Sequence, residues 1–254
     1  MKVWRMIKME FDLTDINFSR YDLKKGLKLP NKLSQELAYL CGIIVGDGSI
    51  YQRQDKKDCV LKIVGNPKDE QELYHEVIGP YFNKTFGFMP NIRLQDTNTT
   101  YGFVVVSKGL LIFLTEKTGL IKGKKDQRLG IPEIFKDNRE FLVPFIRGLF
   151  DTDGCMCFKK RYRKEPYYPV ISLSSSSEKL IKEVVKELKE MGFKVVESYN
   201  RQIFDPRFKK GFNIISRLDL NGFQNLQLWI EKINFSSPKH LNKIKKYYFK
   251  ENLG

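Results

Sequence analysis

Two stretches of this sequence decide its fold: LAYLCGIIVGDGSI at residues 37–50 and FIRGLFDTDGCM at residues 145–156. Each is an apolar, helix-like run that ends in an aspartate followed by glycine, and the two aspartates, Asp47 and Asp153, lie 106 residues apart. One Asp-Gly pair is an ordinary turn signal. Because the pair occurs twice, each time five residues after a glycine inside the apolar run, we interpret the two stretches as copies of one functional motif.

The sequence that follows each copy also repeats. Alternation of apolar residues predicts strands, and 3.6-residue periodicity predicts helices, in the order α-β-β-α-β-β-α for each unit. In the first unit, strands are predicted near 50–54, 59–65, 91–96 and 101–107, and helices near 68–78 and 109–117. In the second unit, strands are predicted near 156–160, 169–174, 193–200 and 212–219, and helices near 177–191 and 223–232.

These elements divide the chain into three parts. We assign residues 1–34 to an N-terminal extension, 35–140 to the first unit and 141–254 to the second. Ser34 is the expected N-cap of the first motif helix. Pro144 suits the first turn of the second motif helix.

The glycines inside the motif helices indicate how the two units pack. Glycine in a helix interior costs roughly 1 kcal/mol relative to alanine, so Gly42 and Gly148 need a compensating contact. The missing side chains let two helix backbones approach closely, which predicts that the motif helices form the interface between the units. If the helices are parallel, Asp47 and Asp153 meet at their carboxyl ends, where the helix dipole disfavours negative charge. Two such carboxylates favour a bound cation, and oxygen ligands suit Mg²⁺.

The charge of the chain indicates a polyanionic partner. Lys and Arg number 45 against 30 Asp and Glu, which gives a net charge of +15 at pH 7. Nucleic acid is the first candidate, an anionic membrane surface the second, and a solvated basic surface the alternative. No apolar run is long enough to span a bilayer, and the first residues do not form a secretory signal.

The four cysteines fit a reducing compartment. Cys41 lies in the apolar motif helix and is expected to be a buried thiol, whereas Cys155 and Cys157 are too close together for an ordinary disulfide. We therefore expect an intracellular protein, in the cytoplasm or nucleoid or in an organelle matrix.

LAYLCGIIVGDG and FIRGLFDTDG resemble the signature of the LAGLIDADG homing endonucleases, with the family's acidic catalytic position at Asp47 and Asp153. The resemblance covers about residues 35–250. The first copy departs from it at Val45, where many members carry an acid and where the second copy has Asp151.

The resemblance implies an α+β fold of two pseudo-symmetric αββαββα units packed through the motif helices. Their antiparallel sheets would form a saddle over DNA. It implies a monomer that hydrolyses both strands of a long, pseudo-palindromic double-stranded target and leaves short 3′ overhangs. Mg²⁺, or Mn²⁺ in its place, would be bound by Asp47 and Asp153, and we add the preceding Gly46 and Thr152 to that metal site. Since terminal splicing residues of the intein type are absent, an intron-encoded or free-standing enzyme is expected.

The resemblance also implies a basic residue near each scissile phosphate, late in each unit. Lys122 lies 75 residues after Asp47, and Lys239 lies 86 residues after Asp153. Their expected role is electrostatic. Lys124 competes with Lys122 for the first place.

Polar faces of the predicted strands supply candidates for DNA contact, because Arg, Gln and Asn can pair with base edges. The charged hairpin tips at 53–58 and 159–165 occupy equivalent places in the two units. The candidates are Tyr51, Arg53, Gln54, Lys62, Arg93, Gln95, Asn98, Lys160, Arg161, Arg163, Tyr199, Arg201, Gln202 and Arg217.

Two other functions remain open on the same fold: an intron-splicing maturase that binds intron RNA, and a DNA-binding regulator without cleavage. A regulator needs no acids at the helix ends, and both acids are present here.

Overall fold

Both motif runs are helical in the computed structural model, which describes residues 10–55, 58–206 and 210–251 and the side chains up to residue 247. The first motif helix, α2, spans Gln35–Gly46, and the second, α7, spans Arg139–Thr152. The predicted N-cap of α2 is confirmed, because the Ser34 side chain accepts a hydrogen bond from the Leu37 N–H at 3.1 Å.

The start of α7 differs from the prediction. The helix begins at Arg139, so Pro144 lies in its interior and not in its first turn, and the predicted unit boundary at 141 falls inside α7. Asn138 is the N-cap, with its side chain accepting from the Glu140 N–H at 2.8 Å. An interior proline leaves the carbonyl four residues earlier without its helical donor. That carbonyl belongs to the exposed Glu140, which water can reach.

The first unit builds a four-stranded antiparallel sheet in the order β1-β2-β4-β3. Its strands are β1 Gly48–Gln52, β2 Cys59–Gly65, β3 Arg93–Gln95 and β4 Thr100–Val106. A short helix, α1 Arg20–Lys24, precedes the unit. Two helical segments of the first unit pack on one face of this sheet. The first segment consists of α3 Gln71–Leu73, a π-helical turn Tyr74–Ile78 and α4 Gly79–Phe86. The second consists of α5 Lys108–Ile112 and a π-helical turn Phe113–Lys117.

The second unit repeats this arrangement, with the strand order β5-β6-β8-β7. The strands are β5 Gly154–Lys159, β6 Tyr168–Ser175, β7 Val195–Phe204 and β8 Phe212–Asn221. The helices of this half are α6 Glu133–Lys136 in the junction, α8 Glu178–Glu190, α9 Phe223–Lys232 and α10 Pro238–Glu251. The matching strand orders confirm the predicted pair of pseudo-symmetric αββαββα units.

The two motif helices pack against each other at their glycines. A methyl group placed on Gly42 would collide with the main-chain carbonyl oxygen of Phe145 and lie 2.9 Å from the Leu149 nitrogen. A methyl group on Gly148 would collide in the same way with the carbonyl oxygen of Tyr39. The backbones of α2 and α7 therefore lie closer together than any residue larger than glycine at these positions would permit. This close approach is what the glycines in the apolar runs predict.

Segments outside the repeat complete each unit. The N-terminal extension packs on the first unit, where the Phe11 and Phe113 rings lie 5.1 Å apart and the Lys28 N–H donates to the Phe86 carbonyl at 2.9 Å. Helix α10, which the sequence reading did not predict, lies beside the edge strand β5. Lys243 Nζ donates there to the Met156 carbonyl at 3.1 Å.

All four cysteines are free thiols, and Cys41 is buried as expected. Among the described residues, none of the helices combines the length and apolar character that crossing a membrane requires.

Candidate functional site

The motif helices end side by side at the two repeated aspartates. Asp47 is the C-cap of α2 and Asp153 the C-cap of α7. A methyl group on Gly46, the residue before Asp47, would collide with the Thr152 hydroxyl and lie 3.5 Å from the carboxyl carbon of Asp153. The glycine at the end of α2 thus lets the second helix bring its carboxylate up to the first.

Close approach and burial make these carboxylates hard to ionise. Desolvation by the surrounding protein, followed by the charges of Asp153 and Glu70, raises the pKa of Asp47 to about 7. Desolvation likewise raises the pKa of Asp153, although its side chain still reaches solvent. Two carboxylates that share such a site repel one another unless a cation is present.

The protein itself supplies cations at this point. The Lys125 ammonium donates to the Gly46 carbonyl oxygen, and its charge lowers the pKa of both aspartates. Burial in turn lowers the pKa of Lys125. Lys239, from the second unit, also lowers the pKa of Asp47 and forms an ion pair with Glu70 at 2.6 Å.

The donor set fits a divalent metal, for which the protein would supply only part of the coordination. Asp47 and Asp153 offer hard carboxylate oxygens, which Mg²⁺ and Mn²⁺ prefer. In the described ranges, no group of three or more His, Cys, Asp or Glu side chains could hold a metal ion. A metal at this point would need phosphate and water oxygens to complete its coordination, which is the usual state of Mg²⁺ beside nucleic acid.

Gly46 and Thr152, the residues that precede the aspartates and were predicted to join the metal site, already have hydrogen-bond partners. The Gly46 carbonyl oxygen already accepts from Lys125. The Thr152 hydroxyl turns back into its own helix and donates to the Gly148 and Leu149 carbonyls, at 3.2 Å each. Gly46 and Thr152 could therefore bind a metal only through their main-chain carbonyl oxygens. The Gly46 oxygen would then be shared between the metal and Lys125.

Each sheet has one face turned away from the helices. Strand register separates the faces, because directly paired residues lie on the same side. In the first sheet, Leu61, Ile63 and Phe103 are buried on the helix side, so the residues between them lie on the open face. The predicted contact residues on this open face are Tyr51, Lys62, Arg93 and Gln95.

In the second sheet, Leu173 and Leu218 are paired and buried on the helix side. The neighbouring pair of Ser174 and Arg217 therefore lies on the open face. Arg201, paired with Ile215 beyond a bulge in β7, lies on the same face. Both open faces carry cationic side chains and flank the ends of the motif helices.

Comparison with known proteins agrees with this geometry. Residues 140–234 match the family model of the LAGLIDADG-like domain. The match spans most of the second unit, from the start of α7 to just beyond the end of α9.

Solved structures of homing endonucleases share the fold of most of this chain. I-DmoI, solved with DNA and Ca, is similar with a TM-score of 0.54 at 17% identity, covering 78% of this chain and 88% of that one. I-WcaI, solved bound to its DNA recognition sequence, has a TM-score of 0.53 at 16% identity and covers 89% of this chain and 92% of that one.

Two curated relatives match only a small part of their own length. The ribonucleoside-diphosphate reductase NrdEB subunit alpha of Bacillus subtilis is 28% identical over 184 residues, which are 66% of this chain and 15% of that protein. Reverse gyrase of Methanocaldococcus jannaschii is 30% identical over 167 residues, which are 63% of this chain and 9% of that protein.

In the first unit, the lysine that lies beside the aspartates is Lys125, and not Lys122 or its competitor Lys124. Lys122 is exposed and donates to the Gln52 side chain at 3.0 Å. Lys124 is exposed as well, whereas Lys125 is half-buried beside the aspartates. All three lysines lie in one loop, and only the fold decides which of them turns inward. Lys239 does lie at the site, as predicted from the second unit.

Glu70 is a residue of this cluster that the sequence did not predict. It is buried beside the aspartates, but in the sequence it is one acid in the run KDEQE. The available signal was its position five residues after the end of β2.

Several predicted DNA-contact residues lie off the open faces. Tyr199 faces α8, where Lys182 Nζ lies 5.3 Å from its ring centroid. Gln202 pairs with Ile214, on the side of the buried Ser216. Gln54 is exposed in the first hairpin tip, whose residues 56 and 57 lie outside the described ranges, and Asn98 is exposed in a 3₁₀ turn. The bulge between Ser198 and Arg201 explains the position of Gln202, because it reverses which residues of β7 face outward beyond it. Tyr199 faces α8 by ordinary alternation, on the same side as Glu197, which pairs with the buried Leu218.

Two of the cations on the open faces, and two in the second hairpin tip, contact neighbouring side chains. Lys62 Nζ lies 2.6 Å from the Asp96 carboxylate, and Arg217 lies 2.7 Å from Asp219. Arg161 and Arg163 stack over the Tyr168 and Tyr167 rings, at 3.5 and 4.4 Å from the ring centroids. Lys160 and Arg53 are the remaining predicted contacts in the hairpin tips. Arg53 lies 3.9 Å from Asp58.

Proposed function

We propose that this protein is a site-specific endonuclease of the LAGLIDADG type, which hydrolyses both strands of double-stranded DNA. The observation that carries the proposal is the pair of aspartates at the joined ends of the motif helices, with a lysine from each unit beside them. This cluster lies between two sheets whose open faces carry cations, an arrangement suited to a duplex that spans both units.

Relatives support the proposal. I-DmoI has been solved with its DNA and with Ca or Mn, and I-WcaI with its recognition sequence. The matches to NrdEB and reverse gyrase involve a small part of each long protein. This is expected of a domain carried within another coding sequence, as a mobile element would be.

The residues have distinct roles in this mechanism. A bound divalent metal supplies Lewis acidity and a more acidic water. Asp47 and Asp153 would hold this metal, because their position at helix carboxyl ends favours a cation. Lys125 and Lys239 stabilise negative charge that develops on the phosphate oxygens. The open sheet faces hold the DNA in register through phosphate and base-edge contacts.

Further details complete the proposal. We propose Mg²⁺ as the cofactor with Mn²⁺ as a substitute, short 3′ overhangs, a long pseudo-palindromic target and a monomeric enzyme that acts inside the cell. The protein would serve intron homing, and binding of intron RNA is a second activity to test.

A plasmid library tests the proposal directly. The purified chain is incubated with plasmids that carry candidate intron-insertion sites, with Mg²⁺, with Mn²⁺ or with EDTA, and linear products are sequenced at their ends. We expect one site to be linearised with either metal and none with EDTA. Failure to cut any site, together with tight binding of intron RNA, would favour a maturase instead.

Substitution of either aspartate tests the site. Asp47→Asn and Asp153→Asn should each slow double-strand cleavage at least about 10²-fold, because an amide cannot supply the negative charge that holds the metal. DNA affinity should be unchanged or slightly higher, since each change removes negative charge near phosphates. Asp69→Asn, which alters an exposed acid next to Glu70, is the matched control and should cut at the wild-type rate. Wild-type cleavage by either motif variant would remove that aspartate from the metal site.

A further inference from the structure

A buried ion pair joins the two units beside the aspartates. Glu70 belongs to the first unit and precedes α3, whereas Lys239 belongs to the first turn of α10 in the second unit. Lys239 Nζ lies 2.6 Å from Glu70 Oε1, and the two side chains are 21% and 6% exposed. A carboxylate this deeply buried is costly unless it is both paired and hydrogen-bonded.

Glu70 meets both conditions. Its second oxygen, Oε2, accepts a hydrogen bond from the Asn66 N–H at 2.7 Å. The same oxygen lies against Gly65, where an added methyl group would collide with it and lie 3.2 Å from Asp47 Oδ2. The Glu70 carboxylate is therefore fixed next to Asp47, with its Oε1 oxygen paired with the Lys239 ammonium.

The main chain that carries Lys239 is fixed from the other side. The buried Asp151 accepts hydrogen bonds from the Ser236 and Ser237 N–H groups, at 3.0 and 3.1 Å. It also accepts one from the Tyr39 hydroxyl of the opposite motif helix at 2.8 Å. Asp151 thus anchors the start of α10, and Glu70 fixes the ammonium group at the end of the side chain.

The two lysines of the site are held differently. In the described ranges, Lys125 forms no ion pair like that of Lys239, and its ammonium donates to the Gly46 carbonyl oxygen between the aspartates. The pseudo-symmetry of the fold therefore does not extend to the contacts of its lysines.

We propose that Glu70 is a positioning residue for one of the two strand cuts. It holds the Lys239 ammonium at one side of the aspartate pair, where this lysine acts on one scissile phosphate, while the other phosphate depends on Lys125. The proposal rests on the proposed nuclease function. Beyond that function, it assigns Glu70 of the first unit the role of orienting Lys239 of the second unit.

Strand-resolved cleavage tests this role. The substrate is the duplex recovered from the plasmid library, labelled at either 5′ end, and supercoiled plasmid with the same site. Glu70→Gln keeps the size of the side chain but removes the charge. It should slow one strand about 10- to 100-fold and the other little, so that nicked plasmid accumulates. Lys239→Met should slow the same strand.

The double variant separates positioning from an independent role. If Glu70 acts through Lys239, Glu70→Gln combined with Lys239→Met cuts no more slowly than Lys239→Met alone. Glu70→Asp keeps the charge but shortens the side chain. It should slow the same strand as Glu70→Gln, but by a smaller factor. Glu72→Gln, at an exposed acid of α3, is the matched control and should cut both strands at the wild-type rate.

The outcomes are distinguishable from failure of the nuclease proposal. If the wild-type chain cuts no site, both proposals fall. If it cuts, and Glu70→Gln slows both strands equally or neither, only the role of Glu70 is overturned. Thermal unfolding shows whether each variant is folded. Should Glu70→Gln not fold, equal slowing of both strands by Lys239→Met overturns the positioning role by itself.

Discussion

Lys125 lies beside both aspartates, whereas Lys122, three residues earlier in the same loop, is exposed and bonded to Gln52. A cation at the aspartate pair stabilises charge that develops on the phosphate, and an exposed one does so weakly because water screens it. We therefore expect Lys125→Met to slow cleavage about 10²-fold in single-turnover assays, with little change in DNA affinity.

Lys122→Met is the matched control and should cut at close to the wild-type rate. If Lys122→Met proves the slower of the two, the bound enzyme must rearrange this loop. Equal losses of affinity and rate in Lys125→Met would instead make Lys125 an ordinary phosphate contact.

At the residue scale, the sequence predicts the site residues that lie at helix ends, but it does not predict those that lie in loops. Asp47 and Asp153 were identifiable because they end two apolar helices at matching positions. Lys125 and Glu70 were not, because one lysine of a loop and one acid of a charged run are buried only by the fold.

The motif helices depend on the absence of side chains where they cross. Gly42→Ala places a methyl group against the Phe145 carbonyl oxygen, and main chain inside a buried helix cannot move aside as a flexible side chain can. The gain in helix propensity, about 1 kcal/mol, opposes this strain. We expect a net loss of about 1–3 kcal/mol in the free energy of unfolding, measured by urea titration, because the helices must separate.

Gln35→Ala changes an exposed residue of the same helix and should alter stability by less than about 0.5 kcal/mol. Stabilisation by Gly42→Ala would show that the crossing has room for a methyl group, contrary to the contacts described above.

The bounds of helices and strands were predicted correctly where the apolar periodicity of the sequence is unbroken. Strand β2 at Cys59–Gly65 and helix α9 at Phe223–Lys232 have the predicted bounds. Prediction failed where an irregularity intervenes. Helix α7 begins earlier than the interior Pro144 indicated, and the bulge in β7 turned Gln202 to the helix side of its sheet. A shift of one residue moves a strand's side chains to the other face, so face assignments fail before strand assignments do.

The whole molecule contains both halves of the site in one chain. Each unit contributes one aspartate and one lysine, and the units meet through their motif helices. A protein with one motif would need a symmetric dimer and would favour a palindromic target. Here the open faces differ: Arg93 and Gln95 lie on the first sheet, and Arg201 and Arg217 on the second.

We therefore predict one protein molecule per duplex and independent recognition of the two half-sites. Arg93→Ala should relax base preference in one half-site only and Arg201→Ala in the other, each by about 1–3 kcal/mol at the affected base pair. Selection from a library randomised across the target measures both preferences, and light scattering of the complex measures its mass. Affinity should also fall steeply with salt, by a slope of roughly −0.9 per phosphate contact in a logarithmic plot. Two chains per duplex, or a change in both half-sites from one substitution, would contradict the arrangement, because neither sheet of a single chain can lie over both halves of the target.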